Sequence, residues 1–81
     1  MSAAPAAPVA PFTLRGDHIT LDALLKATGL AGSGGEAKML IQDGQVQVNG
    51  NPETRRGRKL RAGDEVVLGT ARVLLQAEPA A

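Results

Sequence analysis

The stretch from Gly44 to Arg61, G-Q-V-Q-V-N-G-N-P-E-T-R-R-G-R-K-L-R, decides the fold that this sequence predicts. Val46 and Val48 alternate with glutamines, which is the two-residue period of a strand with one buried face. The pair Asn49-Gly50 then favours a tight hairpin turn, because both residue types tolerate a left-handed backbone. Together the two signals predict a strand that ends in a hairpin.

A cluster of positive charge follows the turn. Closely spaced positive charges repel one another, and contact with a polyanion such as RNA relieves this repulsion. Guanidinium groups also grip phosphate oxygens in pairs, which an ammonium group cannot do. The cluster therefore predicts a phosphate-binding loop, although the formal net charge is only +1. Five of the seven residues from 55 to 61 are cationic, namely Arg55, Arg56, Arg58, Lys59 and Arg61.

Two short helices are predicted upstream of this strand. Thr20 can cap a helix over residues 21–28, in which three leucines form the apolar face. Ser33 and Glu36 have the spacing of a capping box, in which each side chain satisfies one free backbone amide of the other residue. This box predicts a second helix over residues 34–43.

Further strands are predicted at residues 12–15, 65–68 and 72–75, where apolar and polar residues alternate or β-branched residues concentrate. The expected fold class is therefore α+β, with two helices packed on a small, mostly antiparallel sheet. Apart from Met1, Ser2 and Val9, residues 1–11 are all Ala or Pro, and we expect them to form a flexible tail. The predicted domain covers residues 12–77, and residues 78–81 are expected to be disordered.

Composition excludes several functional classes. The 81 residues leave room for one small domain, and the absence of cysteine excludes disulfides and thiolate metal sites. The carboxylates are dispersed and His18 is the single histidine, so neither a metal site nor a cofactor is expected. No apolar run is long enough for a membrane span, and no secretory signal is apparent. We expect a cytoplasmic, monomeric protein.

The order of these signals resembles the S4 RNA-binding domain, also called the αL motif. The resemblance is carried by Leu21-Asp22-x-x-Leu25, by residues 33–41, by the V-Q-V-N-G segment and by Gly63-Asp64-Glu65-Val66. It covers residues 19–68. The domain is named after a ribosomal small-subunit protein and also occurs in pseudouridine synthases, tyrosyl-tRNA synthetases and a small heat-shock ribosome-binding protein. This chain is similar to a short stand-alone bacterial version.

The resemblance implies which residues contact RNA. In the family these are the start of the second helix, basic positions along it and the loop after the Asn-Gly turn, which correspond here to Ser33, Lys38 and the cluster from Arg55 to Arg61. Gly34 stands where many members carry arginine, so more of the contact is expected from the basic cluster. The resemblance implies that the partner is structured RNA, either ribosomal or transfer RNA. Separately from the resemblance, the ribosome or RNA-processing proteins are further expected partners.

The scarcity of aromatic residues favours recognition of the RNA backbone. Phe12 is the single aromatic residue, so the chain lacks the stacked rings on which single-stranded bases usually lie. A folded RNA read through its backbone and shape is the expected ligand. The side-chain amides of Gln47, Asn49 and Asn51 are then candidate partners for ribose hydroxyls or base edges.

Three alternatives stay open at this stage. The cluster can be a solvated loop whose charges are partly neutralised by Glu53, Asp64 and Glu65. It can also meet an acidic protein surface, which would make the protein an interaction adaptor on the ribosome or an RNA-processing complex. An RNA-modifying enzyme is the third alternative, but the best acid-base pair available is His18 with Asp17, and no catalytic residue is predicted.

Overall fold

The structure is a computed structural model that describes residues 9–79. These residues form two helices and seven strands, and the α+β prediction is confirmed. None of the helices is long and apolar enough to cross a membrane within this range. The elements are β1 Val9–Leu14, β2 Ile19–Thr20, α1 Leu21–Ala27, α2 Gly34–Gln42, β3 Val46–Val48, β4 Asn51–Pro52, β5 Lys59–Leu60, β6 Glu65–Leu68 and β7 Ala71–Ala77.

The strands form two sheets. The larger sheet has the order β1-β7-β6-β3-β4, and its pairs are antiparallel except for β1 and β7, which run parallel. The smaller sheet is the antiparallel pair of β2 and β5, in which Ile19 lies opposite Leu60 and Thr20 opposite Lys59. The mostly antiparallel arrangement expected from the sequence is thus confirmed.

Strand β1 extends three residues before the predicted domain boundary at residue 12. Strand β1 begins at Val9, so residues 9–11 belong to the sheet and not to a tail. Proline is tolerated here because β1 is an edge strand, in which one row of backbone amides has no partner strand. The other parts of the predicted tail and end, residues 1–8 and 80–81, lie outside the described residues.

The two helices begin in different ways. Ser33 Oγ accepts a hydrogen bond from the amide of Glu36 at 3.1 Å, as the capping box requires. The Glu36 carboxylate, however, accepts from the amide of Gly32 and not from that of Ser33. The predicted cap of α1 is wrong, because the Thr20 side chain makes no capping hydrogen bond. Its role is taken by backbone carbonyls from a distant part of the chain, described below.

The Asn49-Gly50 turn has the predicted geometry. Both residues are left-handed, with φ of 53° and 87°, which is the arrangement of a type I′ turn. The turn sets the register of β3 against β4, with Val48 opposite Asn51. The cationic cluster begins at Arg55, three residues after the end of β4.

One hydrophobic cluster joins the helices to both sheets. Its buried side chains come from both helices and from β1, β3, β5, β6 and β7. Leu60 of β5 is among the members with no exposed surface, so the short second sheet is fastened to the main core. The strands predicted at residues 46–48 and 65–68 supply Val46, Val48 and Val66 to this cluster, as their alternation indicates.

Candidate nucleic-acid interface

Residues 53–61, which we call the basic loop, are attached to the start of α1. The amide of Leu21 donates to the carbonyl of Arg58 at 2.9 Å, and the amide of Asp22 donates to the carbonyl of Arg56 at 3.1 Å. These amides belong to the first turn, where a helix has no internal acceptors for them. The loop therefore caps α1 with its own backbone, and its end is held by the pairing of β5 with β2.

A buried carboxylate organises the other half of the basic loop. Glu53 is only 7% exposed, and its amide donates to the carbonyl of Val46 in β3 at 2.9 Å. Its Oε2 accepts from the backbone amide and the Nε of Arg55, both at 3.0 Å, and its Oε1 accepts from Arg55 Nη2 at 3.1 Å. Arg58 Nη1 donates to the same Oε1 at 2.7 Å. One carboxylate thus holds two guanidinium groups.

These contacts lower the pKa of Glu53 to about 2. The hydrogen bond from the Arg55 side chain has the largest effect, and together with the Arg55 amide and the Arg58 side chain it outweighs the burial that would raise the pKa. The same pairing raises the pKa of Arg55. Glu53 is accordingly ionised at neutral pH.

A loss of stability in acid is expected from this pKa. A carboxyl group whose pKa is lowered by folding stabilises the native state above its unfolded pKa, and this contribution is lost as the pH falls. For Glu53 the window extends from about pH 4.5 down to about pH 2. Urea unfolding at about pH 7 and about pH 3 should show a larger loss of unfolding free energy for the wild type than for Glu53→Gln. Equal losses in the two proteins would contradict the assignment.

The five predicted cations are therefore not equivalent. Arg55 and Arg58 are paired with Glu53, with side chains that are 73% and 34% exposed. Arg56, Lys59 and Arg61 are exposed, and within residues 9–79 none of their side chains forms an ion pair or a hydrogen bond. We call these three the open cations. Two of the four guanidinium groups in the cluster, those of Arg55 and Arg58, are thus already engaged within the protein.

The other two acidic residues near the cluster have local roles. Glu65 pairs with Arg72 of β7, where Glu65 Oε2 lies 2.8 Å from Arg72 Nη2. Asp64 Oδ2 accepts from the amide of Arg61 at 2.8 Å. Partial burial raises the pKa of Asp64. Hydrogen bonds from the Arg61 amide and the Asn49 side chain, together with the nearby Arg58 and Arg61 charges, have a larger opposite effect, so the pKa of Asp64 is lowered overall.

Asn49 is held inside the protein's own hydrogen-bond network. Its Nδ2 donates to Asp64 Oδ1 at 3.0 Å, and its Oδ1 accepts from the amide of Glu65 at 3.0 Å. Both polar atoms of its side chain are thereby used to join the hairpin turn to the start of β6. Each of these atoms keeps one further hydrogen-bonding position, and Asn49 is exposed, so it stays a predicted RNA contact. Gln47 and Asn51 are exposed, and no side-chain hydrogen bond engages them in the described part of the chain.

The candidates on α2 lie apart from this network. Lys38 is exposed beside Met39, which is 65% exposed, and Ser33 keeps its hydroxyl on the helix cap. Among the described residues, no hydrogen bond or ion pair joins α2 to the basic loop, which is bonded instead to α1, β2, β3 and Asp64. A shared surface of α2 and the loop stays a prediction.

The alternative of an acid-base pair gains no geometric support. His18 lines an open cavity of about 370 Å³ together with residues 12–15 and Ile19, and Asp17 is not part of that lining. Within residues 9–79 no hydrogen bond or ion pair joins His18 to Asp17, and no group of three His, Asp or Glu side chains is placed to hold a metal.

Comparison with known proteins agrees with this architecture. A model of the S4 domain matches residues 12–76, which is most of the chain. The chain belongs to the S4 domain family. This S4 domain is 43% identical over 56 residues to the "Probable ribosome maturation protein RlbA" of Bacillus subtilis strain 168, covering 69% of this chain and 79% of that protein. It is 44% identical over 59 residues to the "Putative RNA-binding protein YbcJ" of Escherichia coli K12, covering 72% and 84%.

A solved structure supports the fold of this S4 domain. The solution structure of YbcJ from Escherichia coli, described as revealing an αL motif involved in RNA binding, matches with a TM-score of 0.68 and 36% identity. The match covers 95% of this chain and 99% of YbcJ. The resemblance inferred from the sequence and the expected αL fold are therefore confirmed.

Proposed function

We propose that this protein is a non-enzymatic, cytoplasmic RNA-binding module that holds the phosphate backbone of a structured RNA, such as ribosomal or transfer RNA. The observation that carries the proposal is the set of open cations, Arg56, Lys59 and Arg61, on a loop with two separate attachments. Because the loop is attached to α1 and, through the amide of Glu53, to β3, its backbone is ordered before RNA binds, which lowers the ordering cost. A flexible solvated loop would not need these attachments.

The relatives support the same class of partner. One carries a name that describes a putative RNA-binding protein, and the other a name that describes ribosome maturation. The shared fold extends over nearly all of YbcJ, so the αL motif described there as involved in RNA binding has a counterpart here. We infer that the ligand is RNA and that it belongs to the ribosome or its precursors.

Each residue has a proposed part in this contact. The open cations bind phosphates, and Arg55 and Arg58 add guanidinium N–H groups that Glu53 does not use. Lys38 and Ser33 extend the contact along the start of α2, and the amides of Gln47, Asn49 and Asn51 reach ribose hydroxyls or base edges. Since backbone contacts carry no sequence information, we expect weak sequence preference.

The salt dependence of binding tests the proposal. With three phosphates neutralised, the logarithm of the association constant should fall against the logarithm of salt concentration with a slope of about −2 to −3. Fluorescence anisotropy with a labelled RNA hairpin, repeated over a salt series, measures this slope. A DNA hairpin of the same sequence is the control for RNA preference. A slope near zero would refute phosphate binding by the open cations.

One observation favours a second candidate, the protein-interaction adaptor. Met39 is the large hydrophobic side chain that α2 exposes, and an exposed methionine suits an adaptable protein contact. The two candidates differ when ribosomal particles are treated with nuclease. An adaptor should stay bound to the protein components, whereas an RNA-binding module should be released with the RNA fragments.

A further inference from the structure

The carboxylate of Glu53 is unexpected in a surface that binds a polyanion. It lies at the start of the basic loop, two residues before Arg55, and carries a negative charge at neutral pH. If net charge alone governed affinity, removing it would raise the formal charge by one unit and strengthen RNA binding. Any role that favours binding must therefore come from geometry.

The geometry shows a closed turn. Glu53 is fixed to β3 through its amide, and its two carboxylate oxygens hold Arg55 in a paired contact through Nε and Nη2. Arg58 is drawn to Oε1, and its amide donates to the carbonyl of Arg55 at 3.2 Å. The chain between Glu53 and Arg58 is thus closed by both side-chain and backbone bonds.

This turn also sets the position of the open cations. Arg56 lies between the two clamped arginines, and the carbonyls of Arg56 and Arg58 are the acceptors that cap α1. We call the contacts of Glu53 with Arg55 and Arg58 the clamp. If the clamp opened, Arg55 and Arg58 would become mobile, and the carbonyls of Arg56 and Arg58 would lose part of their fixed direction. Long cationic side chains lose much rotamer freedom when they are ordered by a ligand, so ordering them in advance favours binding.

We propose that Glu53 is a positioning residue for RNA binding. It clamps Arg55 and Arg58 so that their unused N–H groups, together with the Arg56 side chain, face consecutive phosphates of the RNA backbone. The inference rests on the proposed function. It predicts that a negative charge inside the cationic surface strengthens the binding of a polyanion. That sign is opposite to the one expected from charge alone.

The test compares Glu53→Gln with Glu78→Gln. Both variants remove one negative charge, but Glu78 is exposed at the end of the described chain and makes no side-chain hydrogen bond or ion pair there. With a labelled RNA hairpin as the probe, Glu53→Gln should bind on the order of tenfold more weakly than the wild type, because the clamp is lost. Glu78→Gln should bind as the wild type does or slightly more tightly. Equal or tighter binding by Glu53→Gln would overturn the inference.

A second pair of variants keeps the charge constant and does not depend on Glu53→Gln being folded. Arg55→Lys preserves the charge but cannot form the paired contact with Glu53, whereas Arg56→Lys makes the same exchange at a side chain without such a contact. Arg55→Lys should weaken RNA binding more than Arg56→Lys. The reverse order would count against the clamp.

Nuclear magnetic resonance tests the clamp without RNA. In the wild type the Nε–H of Arg55 should exchange slowly with solvent, and in Glu53→Gln it should exchange rapidly while the resonances of the core stay in place. Unchanged exchange would overturn the positioning role. If neither the wild type nor Glu78→Gln binds the hairpin, the proposed function itself fails, and that result is distinct from a failure confined to Glu53→Gln.

Discussion

Replacing Arg56, Lys59 and Arg61 together by alanine should lower RNA affinity on the order of a hundredfold at low salt. Each open cation that neutralises a phosphate releases counterions, so its removal should also make the salt slope shallower by about one. The three changes together should leave only the shallow slope that Arg55, Arg58 and Lys38 contribute. Fluorescence anisotropy with the labelled hairpin over a salt series measures both quantities. The side chains are exposed, so the unfolding free energy should change little.

A matched pair of double variants separates position from charge. Arg56→Ala with Lys59→Ala removes two positive charges from the basic loop. Arg15→Ala with Lys26→Ala removes two from exposed positions outside it. The first pair should weaken binding much more than the second. Equal losses would mean that total charge attracts the RNA, and the basic loop would then have no special role.

Replacing Leu60 by alanine should lower the free energy of unfolding by about 2 to 5 kcal/mol. Leu60 has no exposed surface, and its truncation leaves a cavity where β5 meets the core. The total stability of a small domain is on the order of 5 to 15 kcal/mol, so this loss is a large share of it. Urea denaturation followed by circular dichroism measures the change.

Leu68→Ala is the control for this prediction. Leu68 lies in β6 and is only partly buried against the same cluster, so its truncation should cost less. A Leu60→Ala variant as stable as Leu68→Ala would show that β5 is not fastened to the core. Where Leu60→Ala stays folded, it should also weaken RNA binding, because Lys59 and Arg61 flank Leu60 on the basic loop.

Much of the fold was predictable from local patterns. The alternation at residues 46–48, the Asn49-Gly50 turn and the contact between Ser33 and Glu36 each depend on residues a few positions apart, so a short segment contains the whole signal. The order of these signals was also sufficient for the family resemblance. The cationic cluster was equally visible, since it is contiguous in sequence.

Other features were beyond local patterns. Strands β2, β4 and β5 contain two residues each, which is too short for any period to show. The Ala/Pro composition before residue 12 indicated a tail, whereas pairing with β7 at the far end of the chain draws residues 9–11 into the sheet. The cap of α1 comes from carbonyls more than thirty positions later in the chain, at Arg56 and Arg58.

The role of Glu53 could not be predicted from the sequence. Its place two residues before Arg55 was visible, but an acidic residue in a charged stretch is usually exposed, and only packing against β3 makes this one buried. Because Glu53 is buried, it holds Arg55 and Arg58 in fixed ion pairs instead of only neutralising part of the nearby charge. Two of the five cations are therefore engaged, and three are open. Such a division depends on distances between side chains, which no local pattern contains.

The sequence by itself therefore determined the two helices, the strands longer than two residues, their order and the presence of a cationic loop, because capping, turn geometry and periodicity act over neighbouring residues. Only the tertiary structure decided which cations are available to a ligand and what holds the loop in place. The physical reason is that burial and ion pairing depend on which distant segments meet, here β3, the basic loop and the first turn of α1.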